Sequence, residues 1–310
     1  FYPFLKVILE TKRIKYNPTI HKRQLKPKRR PICYAAHFDA LIYSFYSTFL
    51  SEKYEEFVAK NQLQKSVLAY RSLELCNIDF AKEVFNYIES KGACVALALD
   101  IKGFFDNLNH DQLKAKWLRV INTNEEVQLD ILPKDQFKVF NSLTKFAYIE
   151  KEELLKCLSI KDKDLKKNNL TRFCDIKSFR EKVKGKNPSP LQVNKTIGIP
   201  QGSPISATLS NVYMIDYDIA LNELSQKHNF IYRRYCDDII VVCSHSNFDL
   251  IKRTLYDEIR KLELDIQPEK EEVVNFFINS NRILRGYESV DKIKFKNLQY
   301  LGFEFNGQST

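Results

Sequence analysis

The sequence predicts a chain of the α+β class, in which helices back strands that pair antiparallel. Three observations carry that expectation. Long segments place apolar residues at helical spacing, short continuous apolar runs bounded by glycine or charge read as buried strands, and two strand pairs are joined by turns short enough for hairpins. With 310 residues, 44% of them hydrophobic, the chain can bury one large core or two moderate ones, which excludes a disordered protein.

The first element is a basic arm: from Lys12 to Arg30, "KRIKYNPTIHKRQLKPKRR" holds nine Lys/Arg and no Asp or Glu. Pro31 fixes an extended start to the next segment, and from Phe38 onward the apolar residues fall at helical spacing. A second helix, "NIDFAKEVFNYIESKG", ends at Gly92, a usual stop. "ACVALALD" follows as a buried strand with Asp100 at its end. The lysine-rich region from about 121 to 193 has amphipathic patterning and is read as helices, then a loop broken by "KGKNPSP". "IGIPQGSPIS" is a Gly/Pro turn feeding a long helix. "FIYRRYCDDIIVVCS" reads as strand, tight turn and strand, "NFDLIKRTLYDEIRKL" as a helix, and "KFKNLQYLGFEFNG" alternates like a hairpin.

Charge and cysteine usage narrow the function classes. The balance of 49 Lys+Arg against 39 Asp+Glu gives +10, and the acid-free block at 12–30 is what counterion release from a polyphosphate backbone requires, so nucleic acid is the expected partner. Seven cysteines without a CxxC pair and five histidines without an HxxH or HExxH pattern predict free thiols and no zinc. No apolar run is long enough to span a bilayer and the opening segment lacks a signal-peptide cleavage site, so a cytoplasmic location without membrane association is expected. Because the first residue is Phe1 rather than Met, a fragment of a longer chain is expected. Oligomeric state is not legible; "FDALIYSFYSTFLSEKYEEF" suits an interface as readily as a core.

Asp237 and Asp238 interrupt the apolar run "RRYCDDIIVVC". Moving an ionised carboxylate into a dry interior costs several kcal/mol, so two in a strand core require compensation, and a divalent cation is the usual remedy. With a turn at Cys236 and Asp237, the pair sits at a hairpin tip, where Asp100 at the end of an adjacent strand can face it. Three such carboxylates can hold two Mg²⁺ ions about 3.5–4 Å apart, the spacing that suits in-line phosphoryl displacement. An Asp pair alone at a hairpin is an ordinary turn signal.

"YCDD" at 235–238 resembles the YxDD box of reverse transcriptases, "LALDIKGFFDNL" at 97–108 their first palm motif, and "GIPQGSPIS" at 198–206 the motif between them. "PEK" at 268–270 and "YLGFEF" at 300–305 resemble the two later motifs, in the family's order. The IPQGSPIS wording and the "PKRRPI" lead-in look like the bacterial branch of group II intron and retron enzymes. The long insertion after Asp100 and "AYR" at 69–71 are most similar to abortive-infection and phage-defence enzymes.

The resemblance implies a right-hand polymerase, with an antiparallel palm sheet backed by helices and with helical fingers. Residues 1–92 would form the N-terminal fingers, 93–120 the palm with the first Asp motif, 121–195 a helical insertion associated with the fingers, and 196–310 the rest of the palm. A thumb would be absent or outside the chain. Asp100, Asp237 and Asp238 would be catalytic. Asp100 and Asp237 would bridge two Mg²⁺ ions, for which Mn²⁺ could substitute, with the Ile101 carbonyl as an extra ligand and Asp238 at the edge. Lys270 would protonate the departing pyrophosphate. Arg71, with Lys28 or Arg30, would grip the triphosphate. Phe105 would wall off the 2′-hydroxyl, Gly202 would let the backbone approach the templating base pair, and Gln201 would support the template or dNTP. Tyr235 would pack under the primer terminus, with Tyr300, Leu301 and Gly302 gripping the primer strand.

The activity so implied is RNA-directed DNA synthesis from dNTPs on an RNA template, including a structured non-coding RNA, with DNA as product and phage defence as the setting. Two alternatives stay open: an RNA-dependent RNA polymerase, and a catalytically inactive palm that binds RNA as a scaffold.

Overall fold

A computed structural model describes residues 1–17, 22–161, 172–194 and 196–308. In chain order its elements begin with β1 (Phe4–Asn17), β2 (Lys22–Tyr34), α1 (His37–Lys60), α2 (Asn77–Lys91), β3 (Cys94–Asp100), α3 (His110–Ile121) and α4 (Lys134–Thr144). They continue with β4 (Ala147–Glu150), α5 (Lys151–Leu158), α6 (Ile176–Phe179), β5 (Gln192–Val193), α7 (Ser206–Tyr213), α8 (Ile215–His228), β6 (Ile231–Tyr235) and β7 (Asp238–Cys243). The last are α9 (Phe248–Lys261), β8 (Glu272–Ile278), β9 (Leu284–Tyr287), β10 (Leu298–Tyr300) and β11 (Phe303–Phe305). Two compact units divide the chain: Phe1–Thr48 with Pro133–Ser206, and Phe49–Leu132 with Ala207–Thr310.

The first unit is built on a four-stranded sheet of order β2-β1-β4-β5. The basic arm forms most of a long hairpin, in register from Leu5↔Tyr34 to Asn17↔Lys22. Pro27 and Pro31 lie four residues apart in β2, so both turn their nitrogens toward its open edge, the one place in a sheet where proline costs no ladder bond. β4 pairs parallel with β1 (Phe4↔Tyr148) and antiparallel with β5 (Ala147↔Val193). The expectation of helices followed by a loop over about 121–193 is therefore corrected, since β4 and β5 come from it; its residues 162–171 lie outside the described residues. Ile149, Leu154, Leu158 and Val183 form one core of this unit. Phe4 and Tyr43 stack in another region, with ring centroids 5.8 Å apart. On α1, Phe38, Leu41 and Phe45 are exposed whereas Tyr43, Leu50, Tyr54 and Phe57 are buried, so the aromatic-rich segment is core in part only.

The second unit carries a five-stranded antiparallel sheet of order β6-β7-β3-β8-β9. Strand β3 lies at its centre, and both its faces are covered, which explains the unbroken apolar run of its sequence. On one face Cys94 and Ala96 meet Ile240, Val242, Val274 and Phe276, sealed by Ala81, Val84, Phe85 and Ile88 of α2. The stripe on α2 follows from 3.6-residue spacing, and each large side chain buried there contributes roughly 1.5–3 kcal/mol. The short β10–β11 hairpin closes this face, Phe305 stacking on Phe85 with centroids 4.7 Å apart. Residues 49–92, expected with the fingers, belong to this sheet-bearing unit. Among the described residues no helix is long and apolar enough to cross a membrane.

Candidate active site

The second unit brings the three predicted carboxylates to one end of its sheet. Asp100 ends β3, and its register partner across the β3–β7 ladder is Asp238. Directly opposed residues share a sheet face with Cβ atoms about 4.5–5.5 Å apart. Strands β6 and β7 are joined by a two-residue turn, Cys236 and Asp237, closed by the pair Tyr235↔Asp238. Cys236 has φ +59°, the positive angle that primed hairpin turns require at their first position. The Ile101 N–H donates to the Asp237 carbonyl at 3.1 Å, so the ladder runs on past the strand end. Register thus sets Asp238 opposite Asp100, whereas the family pattern gives the bridging role to Asp237.

A second strand of contacts ties the PEK turn to the same place. The Gln267 N–H donates to the Asp100 carbonyl at 2.8 Å, and the Lys102 N–H to the Asp265 carbonyl at 2.8 Å. That pairing carries Lys270 to Asp100, where its Nζ lies 2.5 Å from Oδ2. The three carboxylates at this end of the sheet are hard oxygen donors of the type Mg²⁺ prefers, and the chemistry of the set fits such an ion. Among the described residues, no three His, Cys, Asp or Glu side chains converge closely enough to hold a metal, and Asp100 is paired with the Lys270 ammonium.

Two arginines precede the turn, and strand alternation sends them to opposite faces. Arg233 pairs with Glu83 of α2. Arg234 goes under the sheet to Asp218 of α8, both side chains being fully buried, with Nε–Oδ1 at 2.7 Å and Nη2–Oδ2 at 2.6 Å. Burial works against the Arg234 charge, but Asp218 more than offsets it and holds the guanidinium above its usual range. Around the turn itself, burial pushes the Cys236 thiol up to about 12. Tyr70, at φ +60°, hydrogen-bonds Cys236, and its hydroxyl is raised above the usual range by burial and by that neighbour. Arg234, Asp218 and Tyr70 went unread in the sequence. The one available signal was that two charges in an apolar strand, like the Asp pair, need compensation.

The aromatic pair after Asp100 separates cleanly: Phe104 is buried and Phe105 half-buried, their centroids 5.6 Å apart in a short 3₁₀ turn. Tyr235 stays partly exposed beside Phe80. Arg71 departs from expectation. Its Nε and Nη2 donate to the two Glu55 oxygens at 2.8 Å each, and Nη1 to the Gln64 and Val67 carbonyls at 2.9 and 2.7 Å. The fork expected on a triphosphate is occupied in holding α1 to the 64–67 loop. Tyr300 departs too: its ring is buried in the core on the α2 face, and its hydroxyl has no hydrogen-bond partner among the described residues. Leu301 and Gly302 form the β10–β11 turn, at φ +49° and +90°. Among the described residues a Cβ on Gly302 would meet nothing within 4 Å, so the backbone angle rather than close contact requires this glycine.

Four predicted residues lie in the first unit. Lys28 and Arg30 are opposite Thr11 and Leu9 on one face of the β1–β2 hairpin, while Arg29 pairs with Glu10 on the other at 2.6 Å. The Gln201 carbonyl accepts the edge N–H of Cys33 at 2.7 Å. Gly202, at φ +109°, abuts β2 so closely that a Cβ would lie 2.6 Å from Ile32 Cγ2 and 3.1 Å from the Cys33 carbonyl. The close approach of the protein's own strand by itself requires glycine here.

Comparison with known proteins adds to this geometry. A family model described as reverse transcriptase (RNA-dependent DNA polymerase) matches residues 20–305. No curated protein sequence matches significantly. Among solved structures, the fold is similar to apo telomerase from Candida tropicalis truncated from its C-terminal domain, with TM-score 0.56 and 15% identity over 92% of this chain and 52% of that one. It is also similar to Candida tropicalis telomerase in complex with a TWJ fragment of telomeric RNA, with TM-score 0.53 and 13% identity over 99% of this chain and 44% of that one. The chain spans about half the length of these telomerase chains, and at such identity the likeness is one of fold: an α+β right-hand polymerase.

Proposed function

The chain belongs to the reverse transcriptase family, and on that premise we propose that it is an RNA-directed DNA polymerase, a nucleotidyltransferase that extends a primer 3′-hydroxyl with dNTPs. The observation that carries this reading is the direct pairing of Asp100 with Asp238 at the Tyr235–Asp238 turn. Asp100, Asp237 and Asp238, with the Ile101 carbonyl, would hold two divalent ions once Lys270 leaves Asp100. Mg²⁺ bound there, or Mn²⁺ in its place, supplies hydroxyl activation and neutralisation of triphosphate charge. Lys270, released, would serve as the proton donor to the departing pyrophosphate. Phe105, half-buried beside the core residue Phe104, forms the wall that excludes a 2′-hydroxyl, and this favours DNA over RNA synthesis.

The finer assignments belong to the same proposal. An RNA template, a DNA product and a cytoplasmic place are expected. Lys28, Arg30, Gln201 and Gly202 are assigned to nucleotide contacts, and Tyr235, Leu301 and Gly302 to the primer. Residues 1–48 with 133–206 would act as fingers, and the sheet-bearing unit, 49–132 with 207–310, as palm. The wording "IPQGSPIS" and "PKRRPI" supports a bacterial, retron-like enzyme, and "AYR" with the long insertion supports a role in phage defence. Extension of a primed RNA template by the full-length protein, dNTPs against rNTPs, tests the reading. DNA product lost in Asp237→Asn supports it; preferential use of rNTPs would replace it with an RNA polymerase, and unchanged product in Asp237→Asn would remove the site.

A further inference from the structure

The buried Arg234–Asp218 pair has more structure than an ion pair needs. Besides the two bonds to Asp218, the guanidinium Nη1 donates to Asn211 Oδ1 of α7 at 3.2 Å and to the Cys236 carbonyl in the turn at 3.0 Å. Asp218 in turn accepts the Tyr232 hydroxyl at 2.6 Å. The backbone of Arg234 is equally engaged: its N–H donates to the Ser66 carbonyl at 2.8 Å, and its carbonyl accepts the Leu68 N–H at 2.9 Å. Asn211 extends the same stitching, its Nδ2 donating to the Ala69 carbonyl at 2.9 Å. One residue thus joins the turn, two helices and the 66–68 segment, with no side-chain exposure.

Stability alone does not account for this. Replacing a buried ion pair with packed apolar residues is often neutral or stabilising, because desolvation offsets the attraction. What apolar residues cannot supply is a planar fork whose donors point at fixed positions. Of those positions, the Cys236 carbonyl is the one inside the carboxylate turn. We infer that Arg234, braced by Asp218 and Asn211, is a positioning residue that fixes the Cys236–Asp237 turn and thereby the Asp237 and Asp238 carboxylates. The inference rests on the polymerase reading for its catalytic consequence, but not for its structural one.

The test uses the full chain with Arg234→Met combined with Asp218→Leu, and Arg234→Lys alone. Hydrogen exchange is followed over residues 235–239 and, as an internal control, over 94–99. Loss of one charge-assisted bond predicts exchange faster by about tenfold or more at the turn, with β3 unchanged and cooperative unfolding retained. Primer extension should fall by about 10- to 100-fold, with the Mg²⁺ requirement raised and the dNTP KM unmoved. Arg234→Lys keeps charge but not the fork; it should loosen the turn likewise, and it decides the matter if the paired variant does not fold. A folded variant whose turn exchanges as in the wild type overturns the inference. A wild-type protein that makes no DNA refutes the polymerase reading instead, and the exchange result still stands on its own.

Discussion

Individual side chains divide into those that do chemistry and those that hold it. Asp237→Asn should lower primer extension roughly a hundredfold or more, because several kcal/mol of charge stabilisation goes with one ligand; steady-state extension assays with melting curves measure it. Phe104 and Phe105 should separate experimentally. Phe104→Ala removes a buried ring and should cost about 3–5 kcal/mol in urea unfolding. Phe105→Ala should leave stability nearly intact and relax discrimination against rNTPs, read as the ratio of kcat/KM values. Arg71→Ala should destabilise by about 2–3 kcal/mol, leaving Glu55 and two carbonyls without their donor. Unchanged stability with a raised dNTP KM would restore its triphosphate role. The three carboxylates stand out in the sequence because charge in an apolar run demands a reason, and the fold sets Asp100 opposite Asp238. The Glu55 partner of Arg71 is not legible, because Glu55 is ordinary in sequence and meets Arg71 only through the fold.

Elements were legible where one periodicity dominated. The hairpin of β6 and β7, the strand β3 and the helix α2 emerge where the apolar spacing places them, since each buries a continuous face. The β1–β2 hairpin was not read as strands: cations and two prolines obscure its alternation, and an edge strand tolerates both. Strands β4 and β5, four and two residues long, are too short for any period to register. Gly202 and Gly302 test the local account as a pair. Gly202→Ala meets Ile32 and the Cys33 carbonyl as well as backbone strain, and should cost about 1–3 kcal/mol or more in chemical unfolding. Gly302→Ala has open space around it and should cost only the strain of its angle, about 1–2 kcal/mol. Equal losses at the two sites would refute this distinction.

At the scale of the molecule, the family and the palm sheet were legible, but the partition of the chain was not. Residues 49–92 join the sheet-bearing unit because α2 seals its core and the 66–68 segment pairs with Arg234, contacts that no local pattern announces. Thiol chemistry should report the packing: Cys76 is exposed, whereas Cys94, Cys236 and Cys243 are buried, with thiols pushed up to about 12. Iodoacetamide at mildly alkaline pH should therefore label Cys76 in the native protein and the buried three only after denaturation; early labelling of Cys236 would contradict its burial. The most direct test of the central claim is magnesium-dependent DNA synthesis on a primed RNA template by the full-length wild type and by Asp100→Asn, a substitution that keeps shape and removes charge. Product that requires Mg²⁺ and vanishes in the variant is the predicted result. Synthesis that survives it, with the same metal requirement, would contradict a site built where Asp100 meets the Asp237–Asp238 turn.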